Sequence, residues 1–211
     1  MVTATRATAI KPASNDGADD IIASAPYRAN FTIVGVAPLL FHRWSNEAVA
    51  TKAAAAKGST AKKTDNIESY LYRCDNGHIG LPGEYVRQSI VSKKEGAARY
   101  RQDPRSPRKS AVDLFTAGIV SLTELADLGV EDPDYIDRRR VVIQRSAVTR
   151  ERPALKTGWT ADFTFMVLLP EYIDQHILLD VLTNAGRIVG VADYRPTYGR
   201  YQVTHFEVAK L

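Results

Sequence analysis

The order in which this chain's hydrophobic periodicity changes leaves few folds open to it. Asn30 through Val36 alternates as a strand and is stopped by Ala37-Pro38, because the residue before a proline is pushed out of helical conformation and the proline has no amide to donate. Tyr85, Val86, Ser89 and Ile90 then recur at helical spacing, which places a helix from about Gly83 to Tyr100. Arg138 through Thr149 and Trp159 through Leu169 return to a period of two, as a pair of strands. A second helix starts near Asp174, carries Ile177, Leu178, Val181 and Leu182 as its buried stripe, and finds terminators in Asn184 and Gly186. Tyr201 through Val208 alternates as a last strand.

Strand, helix, strand, strand, helix, strand is the order of the α+β ferredoxin-like (RRM-like) fold, one antiparallel sheet with two helices on one face. The expected organisation is a flexible tail over residues 1–25 and a single domain over 26–211, with long insertions at about 39–81 and 101–137. In the first insertion, Tyr70 to Leu81 reads as a hairpin around Asn76-Gly77, a pair suited to positive φ. Ala48 through Lys63 reads as a weak helix or a loop carrying Lys52, Lys57, Lys62 and Lys63. In the second, Leu114 to Val120 reads as a strand or short ordered insertion, followed by an acidic turn from Glu124 to Asp137. Arg150 to Gly158 reads as a basic hairpin loop between the two middle strands.

Charge is informative through its distribution. The 211 residues carry a formal charge of only +4, too mild to announce a polyanionic partner. Between Arg87 and Lys109, however, eight basic residues (Arg87, Lys93, Lys94, Arg99, Arg101, Arg105, Arg108, Lys109) face only Glu95 and Asp103, a larger excess than that of the whole chain. Cys74 is the sole cysteine, and His42, His78, His176 and His205 lack metal-ligand spacing, so neither a metal nor any cofactor is assigned. No apolar run is long enough for a membrane span, and a cytoplasmic location is expected.

The stretch from Gly186 to Tyr201 combines three arginines, Arg187, Arg195 and Arg200, with Tyr194, Tyr198 and Tyr201 and with Gly186, Gly190 and Gly199. Planar cations interleaved with aromatic faces suit a polyanion carrying flat bases. The glycines are expected to let a ligand's backbone come close.

A ferredoxin-like domain with a glycine- and arginine-rich loop between its second helix and last strand resembles the RAMP superfamily, the RNA-binding backbone and processing proteins of CRISPR systems. Val36 to Arg43, Leu81 to Glu84 and Val189 to Arg200 are also similar to an uncharacterised class of small bacteriophage and prophage proteins. The first resemblance implies non-catalytic binding of single-stranded RNA, or DNA, by a protein that multimerises along the strand or joins a ribonucleoprotein. Its binding residues would be Arg187, Tyr194, Arg195, Tyr198 and Arg200 of the loop, Lys93, Lys94, Arg99 and Arg101 of the basic segment, and Arg150 and Arg152. Two other readings stay open. One is a metal-independent endoribonuclease in which His42 moves the proton beside Arg43; the other is a phage structural or anti-defence protein that meets acidic protein surfaces.

Overall fold

The computed structural model describes residues 25–43, 50, 54, 66–143 and 146–210. Residues 1–24 of the expected tail, and nearly all of the Ala48 to Lys63 stretch, lie outside them. In chain order the strands are β1 (Tyr27–Gly35), β2 (Leu39–Leu40), β3 (Tyr72–Arg73), β4 (Ile79–Pro82), β5 (Gln102–Asp103), β6 (Ser106–Ser110), β7 (Ile119–Ser121), β8 (Leu125–Asp127), β9 (Tyr135–Ile143), β10 (Ser146–Leu155), β11 (Thr160–Val167) and β12 (Tyr201–Lys210). The helices are α1 (Gly83–Val91), α2 (Val112–Gly118) and α3 (Gln175–Ile188). The architecture is α+β with antiparallel sheets.

The central sheet has the order β12-β1-β11-β7, every neighbour antiparallel. One face follows the period of two: Ala29, Phe31 and Ile33 of β1 and Ala161, Phe163, Phe165 and Val167 of β11 are buried. They share a core with Val86 and Ile90 of α1 and Leu178, Val181, Leu182 and Ala185 of α3. Phe31 stacks on Phe163 with ring centroids 5.8 Å apart and meets Phe165 edge-on at 5.0 Å. Asp174 starts α3 as its N-cap, its carboxylate accepting from the amides of His176 (2.8 Å) and Ile177 (2.9 Å), an arrangement that contributes about 1 kcal/mol.

Several elements differ from expectation. Helix α1 stops at Val91, and the chain bends through Ser92 to Gly96 into a 3-10 turn, Ala97–Tyr100. Gly186 lies inside α3 instead of ending it, because an added Cβ would sit 2.2 Å from the Tyr201 carbonyl oxygen; the helix needs the glycine to lie against β12. Leu114 to Val120 divides into the end of α2 and the start of β7. The largest difference is the second strand of the central sheet, which is the three-residue β7 and not Arg138 to Thr149. That stretch does form strand, as β9 and the start of β10, but the two pair with each other from Ser146↔Ile143 to Ala154↔Tyr135, in a separate sheet with β2. Arginines at Arg138, Arg139 and Arg140 put charge on both faces of β9, so it cannot lie flat on an apolar core. Consequently Arg150 to Leu155 is strand and not hairpin loop, and the turn before β11 is centred on Thr157-Gly158.

The Asn76-Gly77 hairpin is present, with Gly77 at φ 88° between β3 and β4, and β8 extends it to three strands. Asp127 at its end accepts from the Gly129 amide and Asn76 and lies 2.9 Å from Nδ1 of His78. These partners, the Gly129 amide foremost, hold its carboxyl down at about 2 against an ordinary 3.8. A depressed carboxyl stabilises the fold above the ordinary value and ceases to do so as pH falls through the folded one. Asp127→Asn should therefore be less stable than wild type at neutral pH, and the gap in urea midpoint should close between about pH 4 and pH 2.

Candidate nucleic-acid interface

The loop between α3 and β12 is built by its own backbone. The Val191 amide donates to the Gly199 carbonyl (2.9 Å), and the amides of Gly199 and Asp193 donate to the carbonyls of Pro38 (2.8 Å) and Leu40 (3.1 Å). Val36 and Ala37 donate in turn to the Arg200 carbonyl, at 2.9 and 3.3 Å. The loop is thus fastened along the segment leaving β1. Ala192 and Tyr194 have φ of 62° and 60°, a left-handed conformation costing roughly 1–2 kcal/mol per residue, which these hydrogen bonds must hold in place. Where Gly190 and Gly199 were expected to admit a ligand's backbone, the close approach is the chain's own. A Cβ on Gly199 would lie 1.8 Å from the Val191 carbonyl oxygen, and one on Gly190 would lie 2.9 Å from the carbonyl oxygens of Gly199 and Tyr198.

The side chains of the loop gather the β9–β10 hairpin onto it. The Arg139 guanidinium lies 4.7 Å from the ring centroids of both Tyr194 and Tyr198, donates to the Tyr198 hydroxyl and forms a two-pronged pair with Asp137 at 2.5 Å. Its proton is held above the usual range chiefly by the Asp137 carboxylate. Arg152 is 7% exposed and donates from Nε to Asp193; its Nη1 has no hydrogen-bond partner among the described residues. Nδ1 of His42 lies 3.8 Å from the same Asp193 carboxylate, and its ring meets Tyr70 edge-on at 4.7 Å.

The expected site residues therefore divide by how they are engaged. Arg187 donates to Asn184 (2.9 Å), Arg200 to the Pro196 carbonyl (2.7 Å), Arg99 to the Lys94 carbonyl, and Arg101 pairs with Asp180 (2.9 Å). Arg195 pairs with Glu95 at 3.5 Å, and this contact brings the loop against the basic segment after α1. Arg150 is half-buried opposite Arg139 on the hairpin. Tyr201 is fully buried, with its hydroxyl 3.2 Å from that of Ser89, so it offers no stacking face. Tyr194 remains 44% exposed.

Lys93 and Lys94 are exposed and form no ion pair among the described residues, and the same holds for Arg108 and Lys109 on β6. Between these pairs, at the end of the 3-10 turn, Tyr100 is 74% exposed, more than any other large hydrophobic side chain described. It was missed in the sequence, where it falls at the expected end of a helix; its flanking by Arg99 and Arg101 was the available signal. By contrast, the sheet face away from the helices carries Asn30, Thr32, Thr160, Asp162, Thr164, Gln202 and Glu207, linked by hydrogen bonds such as Thr32 to Asp162 (2.5 Å) and Thr164 to Asn30 (2.9 Å). The described residues of that face include no Phe, Tyr or Trp, only the exposed imidazole of His205 opposite Thr32, so it lacks the pair of large aromatic rings on which an RRM sheet stacks bases.

No protein-family model matches this chain, and no curated protein matches it. Among solved structures it is similar to a chain in the cryo-EM structure of the Type III-B Cmr-beta bound to cognate target RNA, with a TM-score of 0.44 and 12% identity. The alignment covers 92% of this chain and 65% of that one.

Proposed function

We propose that this protein binds single-stranded nucleic acid, RNA in preference to DNA, without cleaving it. The observation that carries the reading is the segment from Lys93 to Lys109, where Lys93, Lys94, Arg108 and Lys109, exposed and without an ion pair among the described residues, lie in sequence on either side of the exposed Tyr100. Cations fix the phosphate backbone without regard to sequence, and an aromatic face holds a base. The Arg195–Glu95 contact continues this track to the exposed ring of Tyr194. The order β12-β1-β11-β7 supports the ferredoxin-like reading of the domain, with β7 as its second strand. In keeping with the RAMP resemblance, copies assemble along the strand or within a ribonucleoprotein of a phage or CRISPR-related system.

Tyr100→Ala tests the stacking half of the proposal. The expected result is a loss of about 1–3 kcal/mol in oligonucleotide binding with the salt dependence unchanged, read by fluorescence anisotropy at several salt concentrations. Because the ring is exposed, thermal stability should stay at the wild-type value; equal affinity in the two proteins would remove Tyr100 from the interface.

A second reading draws on one observation, the Asp193 carboxylate, whose Oδ2 lies against both His42 and Arg152. A histidine with a carboxylate partner is equipped for proton transfer. RNA cleavage in EDTA that disappears in His42→Ala would favour this reading, and RNA left intact by excess protein would exclude it.

A further inference from the structure

A cavity of about 280 Å³ opens between α1 and the loop, lined by Tyr85, Gln88, Ser92, Ala192 and Arg195. We propose that it is a pocket for one nucleobase of the bound strand, an inference that rests on the single-strand reading above. Its size lies at the low end of small-ligand pockets, which limits the occupant to a single flat ring system with its sugar. Tyr85 is half-buried and fixed from behind: its hydroxyl lies 3.1 Å from that of Tyr72, whose ring meets it edge-on and carries Arg43 at 5.1 Å on its own face. The phenol is therefore a rigid wall at which a base is held with little loss of side-chain entropy. Gln88 donates from its amide nitrogen to Glu84 at 2.6 Å, which orients the amide and leaves its oxygen to accept from an exocyclic amine or ring N–H. Ser92 adds a hydroxyl that donates or accepts.

The position of the pocket ties it to a strand and not to a free small molecule. Arg195 sits on its lining and shares a loose 3.5 Å contact with the mostly exposed Glu95, a partner that a phosphate would readily replace. Lys93 and Lys94 directly follow Ser92 on the lining, so the cationic track begins where the pocket ends. A strand lying along that track passes the pocket mouth and can turn one base into it.

Gln88 is exposed at the rim, so Gln88→Trp blocks the pocket without disturbing the core. The experiment compares a short single-stranded oligonucleotide with the same sugar-phosphate chain made abasic throughout, each titrated against wild type and Gln88→Trp. Wild type should prefer the base-bearing strand, and the variant should lose about tenfold or more on that strand alone, with its salt dependence and its affinity for the abasic chain preserved. Equal binding of the base-bearing strand by both proteins overturns the pocket while leaving the single-strand reading in place. Binding of neither strand by wild type overturns the reading itself, and the pocket with it.

Discussion

Reversing Lys93, Lys94, Arg108 and Lys109 to glutamate should reduce single-strand affinity by roughly several hundredfold at 0.1 M salt, the largest effect on binding expected from any surface change. Each phosphate neutralised by a cation releases condensed counterions, which contributes a slope of about 0.7 in log affinity against log salt for a single strand. Losing four such contacts removes close to three units of slope, for all sequences alike, because phosphate contacts position a strand without reading it. These four side chains are exposed and form no ion pairs among the described residues, so the fold should tolerate the change. Reversing Arg101 and Arg152 is a different experiment, since it would break the pairs with Asp180 and Asp193 and confound stability with binding. Anisotropy titrations of the quadruple variant between 0.05 and 0.3 M salt supply the check; an unchanged slope would mark the segment as an ordinary solvated face.

The largest effect on stability should come from one methyl group. Gly199→Ala places a Cβ 1.8 Å from the Val191 carbonyl oxygen in a residue with φ of 70°. The loop would have to break the Val191–Gly199 hydrogen bond and, with it, the link from Gly199 to Pro38. Left-handed alanine costs roughly 1–2 kcal/mol and overpacking a filled site about 1–3 more, so a loss of about 2–5 kcal/mol is expected. Gly129 provides the control. Its φ is 71°, and an added Cβ would meet nothing within 4 Å, so Gly129→Ala carries the conformational cost without the crowding. Urea unfolding of both variants should separate the two contributions; equal losses would mean that the close packing of the loop on itself is not needed.

The two long helices and the central strands were legible because each buries one face, and burial imposes a period. Phe31 and Ile33 alternate with Asn30 and Thr32, and Leu178, Val181 and Leu182 recur with the turn of α3. Strand β7 overlaps the stretch Leu114 to Val120 read as a strand or short ordered insertion, but three residues following directly on α2 are too few to show a period. For Arg138 to Thr149 the pattern revealed strand but not partner. Alternation records that one face differs from the other, and nothing in it distinguishes pairing with β11 from pairing with β10.

Glycines with arginines and tyrosines marked the loop as a binding stretch in the sequence, but in the structure their interactions are mostly internal: Gly199 packs on Val191, and Tyr198 holds Arg139. Exposed cations lie instead in the segment after α1, where sequence showed the charge excess but could not show that Arg101 is paired while Lys93 and Lys94 form no ion pair among the described residues. Tyr100, overlooked between Arg99 and Arg101 in the sequence, became a candidate through its exposure.

Titration of wild-type protein with a fluorescent single-stranded RNA across a salt series tests the central claim most directly. The account predicts saturable binding, weaker but present for DNA of the same sequence, with log affinity falling linearly against log salt by about 0.7 per phosphate contact. Failure to bind at micromolar protein in 0.05 M salt, or binding indifferent to salt, would contradict it.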